Sequence, residues 1–184
     1  YPEMLQWTFI TIKDYNKALR QAKALDRQFE ENGVRVFNVA YIAFNDEDYD
    51  SAIDGFGYIA NNHPKNSSYY IESRRGLLNA KKAKVISKYD YTTIDLQSLQ
   101  AEYLDFFTIM GKNTQTAGLM LEYAEFEALY MNNLPLAIET LEELRQFGGI
   151  SKEAVAQAKL NLADYYLMSG DRWEASLLFS QVDK

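Results

Sequence analysis

The chain has 184 residues, 47% apolar and 24% charged, a globular composition at a length that suits one sizeable core or a short repeat array. It has no cysteine and one histidine, which excludes disulfides, thiolate metal sites, cysteine nucleophiles and a histidine-rich zinc centre. A net charge of −7 excludes general nucleic-acid binding, which needs Lys and Arg to displace phosphate counterions. No apolar run approaches the roughly 20 residues that span a bilayer.

The chain opens without an initiator Met or a basic, apolar leader, so Tyr1 reads as the edge of a longer protein whose targeting signal would lie outside it. Asp14-Tyr15-Asn16-Lys17-Ala18-Leu19 recurs as Asp48-Tyr49-Asp50-Ser51-Ala52-Ile53, with the Tyr, the Ala and the aliphatic residue each 34 positions on. Leu25 and Ile59 keep that spacing. A period of this size marks stacked helical hairpins, and each copy opens the second helix of one. Between the copies, Val36, Val39, Ala40 and Ala43 follow the i, i+3, i+4, i+7 pattern of a helix with one buried face. Asn45 to Asp48 forms a polar turn with capping residues. Ala52, Ile53, Phe56, Ile59 and Ala60 then resume the periodicity, and Ala52 is short enough for the paired helix to approach closely. Asn61-Asn62-His63-Pro64 ends the helix, because proline disfavours helical geometry in the residue before it.

The middle is less regular. Ser68 to about Lys88 predicts an unusually long helix, Tyr89 to Thr93 a loop, and Asp95 a cap for a helix carrying Leu96, Leu99, Tyr103, Leu104 and Phe107 to near Gly111. Further copies of the Ala mark stand at Ala137 and Ala175. Lys152 to Met168 predicts a helix with Ala156, Leu160, Ala163 and Leu167 on its buried face, closed by Gly170. A last helix from near Arg172 presents Ala175, Leu178, Phe179 and Val182, and stops at or near Lys184 without a polar closing repeat, which also favours a longer parent protein. The expected organisation is one array of about five hairpins, at about 1–32, 33–66, 67–113, 114–151 and 152–184, the third enlarged.

The run Asp48-Tyr49-Asp50-x-Ala52-Ile53-x-x-Phe56-x-x-Ile59-x-x-x-x-Pro64 resembles the second half of a tetratricopeptide repeat, with Ala40 matching the small residue of the first helix. Gly170 with Ala175 repeats the pattern, while Glu125 stands where the family usually has a small residue. His63-Pro64-x-Asn66-Ser67-x-Tyr69 is similar to the bacterial-envelope branch of that family, the TolA-binding and outer-membrane-assembly type. The resemblance implies an all-α, α-α superhelix that holds protein partners on a concave surface lined by first helices, without catalysis or cofactor. The envelope likeness implies a periplasmic setting. Some members clamp a peptide's C-terminal carboxylate with Lys, Arg and Asn, of which Asn38 and Arg75 supply a part.

Helical phase selects Asn38, Tyr41, Arg75, Glu122, Phe126 and Asp164 as groove positions. Arg74, Lys81 and Lys88 recur every seven residues in the one locally basic stretch, residues 67–113, which has seven basic and five acidic residues. They read as long side chains edging a buried face or as a lip for an acidic peptide. Glu122, Glu125, Glu127, Glu139, Glu142 and Glu143 read as a solvated acidic face or a patch for a basic partner. Asp46, Asp48 and Asp50 have the opening spacing of a calcium loop, but Ser51 and Gly57 stand where that loop needs Gly and Glu. They are expected to serve a turn and a helix N-terminus instead. His63 is expected at the surface or at a helix end. The second functional reading is a glycan-binding envelope module using exposed aromatics and carboxylates.

Overall fold

A computed structural model describes residues 2–182. Lys184 and the side chain of Val182, assigned above to the last helix, lie outside the described residues. Within them the fold is all-α: α1 (Pro2–Thr11), α2 (Tyr15–Phe29), α3 (Val34–Asn45), α4 (Tyr49–Asn62), α5 (Tyr70–Ile86), α6 (Thr93–Met110), α7 (Ala117–Leu129), α8 (Leu134–Arg145), α9 (Lys152–Ser169) and α10 (Arg172–Val182). No helix among the described residues is long and apolar enough to cross a membrane.

The sequence recurrence maps onto matching helix starts. Asp14 and Asp48 are the N-caps of α2 and α4, accepting backbone N–H bonds from Lys17 at 3.2 Å and Ser51 at 3.1 Å. Ala18, Ala52, Ala137 and Ala175 are all fully buried at the marks that predicted them. Ser151 caps α9 through a bond from Ala154 N–H, and Gly170 closes that helix at φ 92°, a left-handed geometry that favours glycine.

The chain divides into two compact units, one through Leu99 and one from Gln100, so the division falls inside α6. In the first, α1 to α5 pack each on the next. Tyr15, Leu19, Val36, Val39, Ala40, Phe56 and Ile59 form its core, each large side chain contributing about 1.5–3 kcal/mol of apolar burial. In the second, α7 to α10 also pack in succession, and α7 meets α9 directly. The rings of Tyr103, Phe107, Tyr123 and Phe126 meet beneath α7 at centroid distances of 5.2–5.6 Å.

Gly55 also brings α4 close to α3: a Cβ there would lie 2.6 Å from Ala40 Cβ. Two expectations need correction. Asp95 does not cap α6 alone. Thr92 Oγ1 accepts from Asp95 N–H at 3.2 Å while Asp95 accepts from Thr92 N–H at 2.8 Å, a reciprocal capping box. The buried face of α9 is Ala158, Leu162, Ala163 and Tyr165, with Leu167 exposed. Ala158, Leu162 and Tyr165 follow the i, i+4, i+7 spacing of one face, a phase different from that of the Ala156, Leu160 and Leu167 face read from the sequence.

Candidate functional site

Two clefts lie between first helices, one in each unit. In the second unit, α7 presents Leu121, Glu122, Glu125 and Leu129, and α9 presents Gln157, Asn161, Asp164, Tyr165, Leu167 and Met168. Together they line a cleft of about 610 Å³. Both sets recur at steps of about one helical turn, so each helix offers a continuous stripe. The opposite face of α7, with Leu119, Met120, Tyr123 and Ala124, is buried, which fixes the outward stripe.

Glu127 anchors the end of this helix and is fully buried. It accepts from Gln100 Nε2 at 2.7 Å and Asn133 Nδ2 at 3.2 Å, while its backbone carbonyl accepts from Asn133 N–H at 2.8 Å. The carboxylate thereby ties α6, α7 and the start of α8 together. It is not part of the solvated acidic face to which the sequence assigned it, because its side chain turns inward onto amide donors.

The charged groups lining the cleft are all acidic. Burial first, and then the charges of Glu125 and Asp164, push the Tyr165 hydroxyl up to about 12. Leu129 and Met168 are more than half exposed, at 56% and 54%. The surface is therefore an apolar floor with an acidic wall.

In the first unit, Phe37, Tyr41 and Phe44 of α3 face Glu72, Arg75, Gly76 and Asn79 of α5, with Phe56 beneath, around a slot of about 150 Å³. Phe37 stacks with Tyr41 at 6.4 Å and meets Phe56 edge-on at 5.5 Å. Gly76 is required by this packing, since a Cβ there would lie 2.8 Å from the Phe56 ring.

The sequence-selected residues divide accordingly. Tyr41 and Arg75 meet in the α3–α5 slot, and Glu122 and Asp164 meet in the α7–α9 cleft. Asn38 is exposed on α3 outside the slot lining, so it does not complete a carboxylate clamp with Arg75 there. Arg74 and Lys81 lie half-buried on α5 and line neither cleft. Phe126 is 1% exposed, with its ring 5.4 Å from Tyr103 and 5.9 Å from Tyr130, so it is a core residue and not a groove residue. Helical phase misplaced it because the buried face of α7 extends through Phe126 to Ala128.

Sequence reasoning missed Leu129 and Met168. Their signal was apolar side chains in the last turn of each helix, out of phase with the buried face. It also placed His63 at a surface or helix end. His63 is the C-cap of α4, but its ring reaches Asp26, a buried carboxylate. The three acids of the calcium-like spacing are engaged by protein donors. Asp46 accepts from the Tyr15 hydroxyl and pairs with Lys13, Asp48 caps α4, and Asp50 pairs with Lys84.

No family model and no curated protein matches the chain. Solved structures do. The MamA structure superposes with a TM-score of 0.62 at 16% identity, covering 95% of this chain and 90% of that one. The thermophilic TPR protein TTC0263 of Thermus thermophilus gives 0.60 at 15% identity, covering 98% and 88%. A putative kinesin light chain from Podosopora anserina with nearly identical TPR-like repeats gives 0.62 at 15% identity, covering 99% and 92%. The fold is a TPR-like helical repeat. The all-α, α-α superhelix class implied by the tetratricopeptide resemblance is the class of these TPR structures.

Proposed function

We propose that the chain is a non-catalytic scaffold that holds protein segments in its clefts between first helices, α3–α5 in one unit and α7–α9 in the other. The observation that carries this reading is the α7–α9 cleft, where exposed Leu129, Leu167 and Met168 sit in a concavity of peptide-binding size rather than scattered over the surface. TPR-like neighbours support a scaffold in general terms. Trp7 and Trp173 are exposed, at 65% and 78%, but line neither cleft, so they do not favour the glycan reading. The likeness of residues 63–69 to envelope proteins supports a bacterial envelope setting as part of the same proposal, and fractionation of cells expressing the full-length protein tests it.

Photo-crosslinking tests the scaffold itself. A benzoylphenylalanine at Tyr41 or Leu129 is expected to capture a partner in cell extract, and one at the exposed Gln28 of α2 is not. Equal capture at all three positions, or none at Tyr41 and Leu129, refutes binding at the clefts.

A further inference from the structure

Building on the scaffold reading, we infer that the α7–α9 cleft takes a cationic amphipathic segment of a partner protein, one whose Lys or Arg side chains flank one or two apolar anchors. The lining selects that chemistry. Its exposed charged groups are Glu125 on α7 and Asp164 on α9, both acidic. Its apolar groups, Leu121, Leu129, Leu167 and Met168, form a floor that an anchor side chain would cover. Methionine and leucine at the mouth adapt to irregular apolar shapes. Tyr165, in the lining with these two carboxylates, is held above its ordinary pKa by burial first and then by Glu125 and Asp164. The volume of about 610 Å³ accommodates several side chains of a single segment. An anionic segment would gain the same apolar burial but meet like charge, which disfavours it against a cationic one.

Fluorescence anisotropy with the whole chain tests this, using a labelled helical Lys/Leu peptide and its Glu/Leu counterpart. The Lys/Leu peptide is expected to bind, and to weaken as salt rises from about 50 to about 300 mM. The E125Q/D164N variant is expected to lower its affinity at least about fivefold through lost interfacial charge complementarity. The E139Q/E153Q variant makes the same charge change outside the cleft and is expected to leave affinity within about twofold. Equal loss in both variants, or equal binding of the Glu/Leu peptide, overturns the inference.

Leu129→Lys, at a position 56% exposed, gives a second variant and is also expected to weaken the Lys/Leu peptide. If Leu129→Lys instead affects only the Glu/Leu peptide, the partner class is wrong and the scaffold reading stands. If neither peptide responds to it, the cleft is not the docking site, and crosslinking at Tyr41 remains the independent test of the scaffold reading. Self-association abolished by Leu129→Lys in sedimentation velocity overturns the inference in favour of a second copy of the chain.

Discussion

Asp26 on α2 and His63 at the end of α4 meet with His63 Nε2 2.9 Å from Asp26 Oδ2, and the aspartate side chain is only 1% exposed. Gly33 N–H donates to Oδ1 at 2.7 Å and the Tyr58 hydroxyl donates to Oδ2 at 3.1 Å. One carboxylate therefore fastens the last turn of α2, the first residue before α3 and the end of α4. Gly33 stands at φ +84°, so the chain turns sharply into α3 where Asp26 holds it.

Asp26→Ala leaves these donors without an acceptor and is expected to cost about 2–4 kcal/mol. Asp26→Asn keeps one oxygen of similar shape and is expected to cost less. His63→Ala removes one partner from the rim and is expected to cost about 1 kcal/mol. Urea unfolding measures the totals, and hydrogen exchange at the amides of α2 to α4 locates them. An Asp26→Ala protein that unfolds at the wild-type urea concentration would show that the cluster is not structural.

Gly55 lies inside α4, where alanine would ordinarily stabilise a helix by about 1 kcal/mol. Here the packing reverses the sign. An added Cβ would stand 2.6 Å from Ala40 Cβ and 2.9 Å from Leu19 Cδ2, so α3 and α4 must separate. Gly55→Ala is expected to lose about 1–3 kcal/mol through overpacking. Adding Ala40→Gly reopens the space and is expected to recover part of the loss, which a double-mutant cycle reads directly. Stabilisation by Gly55→Ala alone would mean that the two helices are not held as closely as described.

These two sites show what the sequence could and could not convey. Val36, Val39, Ala40 and Ala43 announced the buried face of α3, and Asp14 and Asp48 the starts of α2 and α4, because those signals depend on neighbours within a turn or two. The partners of Asp26 come from 7, 32 and 37 residues away, and no local pattern encodes that convergence. Glu127 was hidden for the same reason, reading as one more acid among five others until Gln100 and Asn133 are brought to it. For the clefts, helical phase picked Tyr41, Arg75, Glu122 and Asp164 as groove positions but not which of them share a cleft; Tyr41 and Arg75 line one and Glu122 and Asp164 the other. It failed for Phe126, since phase does not say how wide a buried face is.

Tyr103 is fully buried, with its ring 5.2 Å from Tyr123 and 5.4 Å from Phe126. Its hydroxyl has no hydrogen-bond partner among the described residues. Burial, followed by the charges of Glu122 and Glu125, holds this phenol well above the usual tyrosine range. A buried hydroxyl without a partner carries a desolvation cost that phenylalanine does not. Tyr103→Phe is therefore expected to be neutral or to stabilise the protein by up to about 1 kcal/mol, raising the unfolding midpoint. A loss above about 1 kcal/mol, the worth of an ordinary hydrogen bond, would reveal a bond to that oxygen.

Alkaline pH should weaken both units through tyrosines that folding keeps neutral. Burial, then the hydrogen bond to Asp46 and the charges of Asp46 and Asp48, push Tyr15 up to about 12. Tyr165 reaches about 12 through burial and then Glu125 and Asp164. In the unfolded chain both ionise near their ordinary value of about 10. A group whose folded pKa is raised contributes stability that is fully present below its unfolded pKa and is lost as pH rises through the folded pKa. Stability is thus expected to fall between about pH 10 and about pH 12, with a subset of the fourteen tyrosines titrating late in ultraviolet difference spectra. Tyr15→Phe and Tyr165→Phe should each flatten that fall, because a phenyl ring has no proton to lose. If the double variant loses stability as steeply as wild type over this range, these two phenols are not the groups responsible.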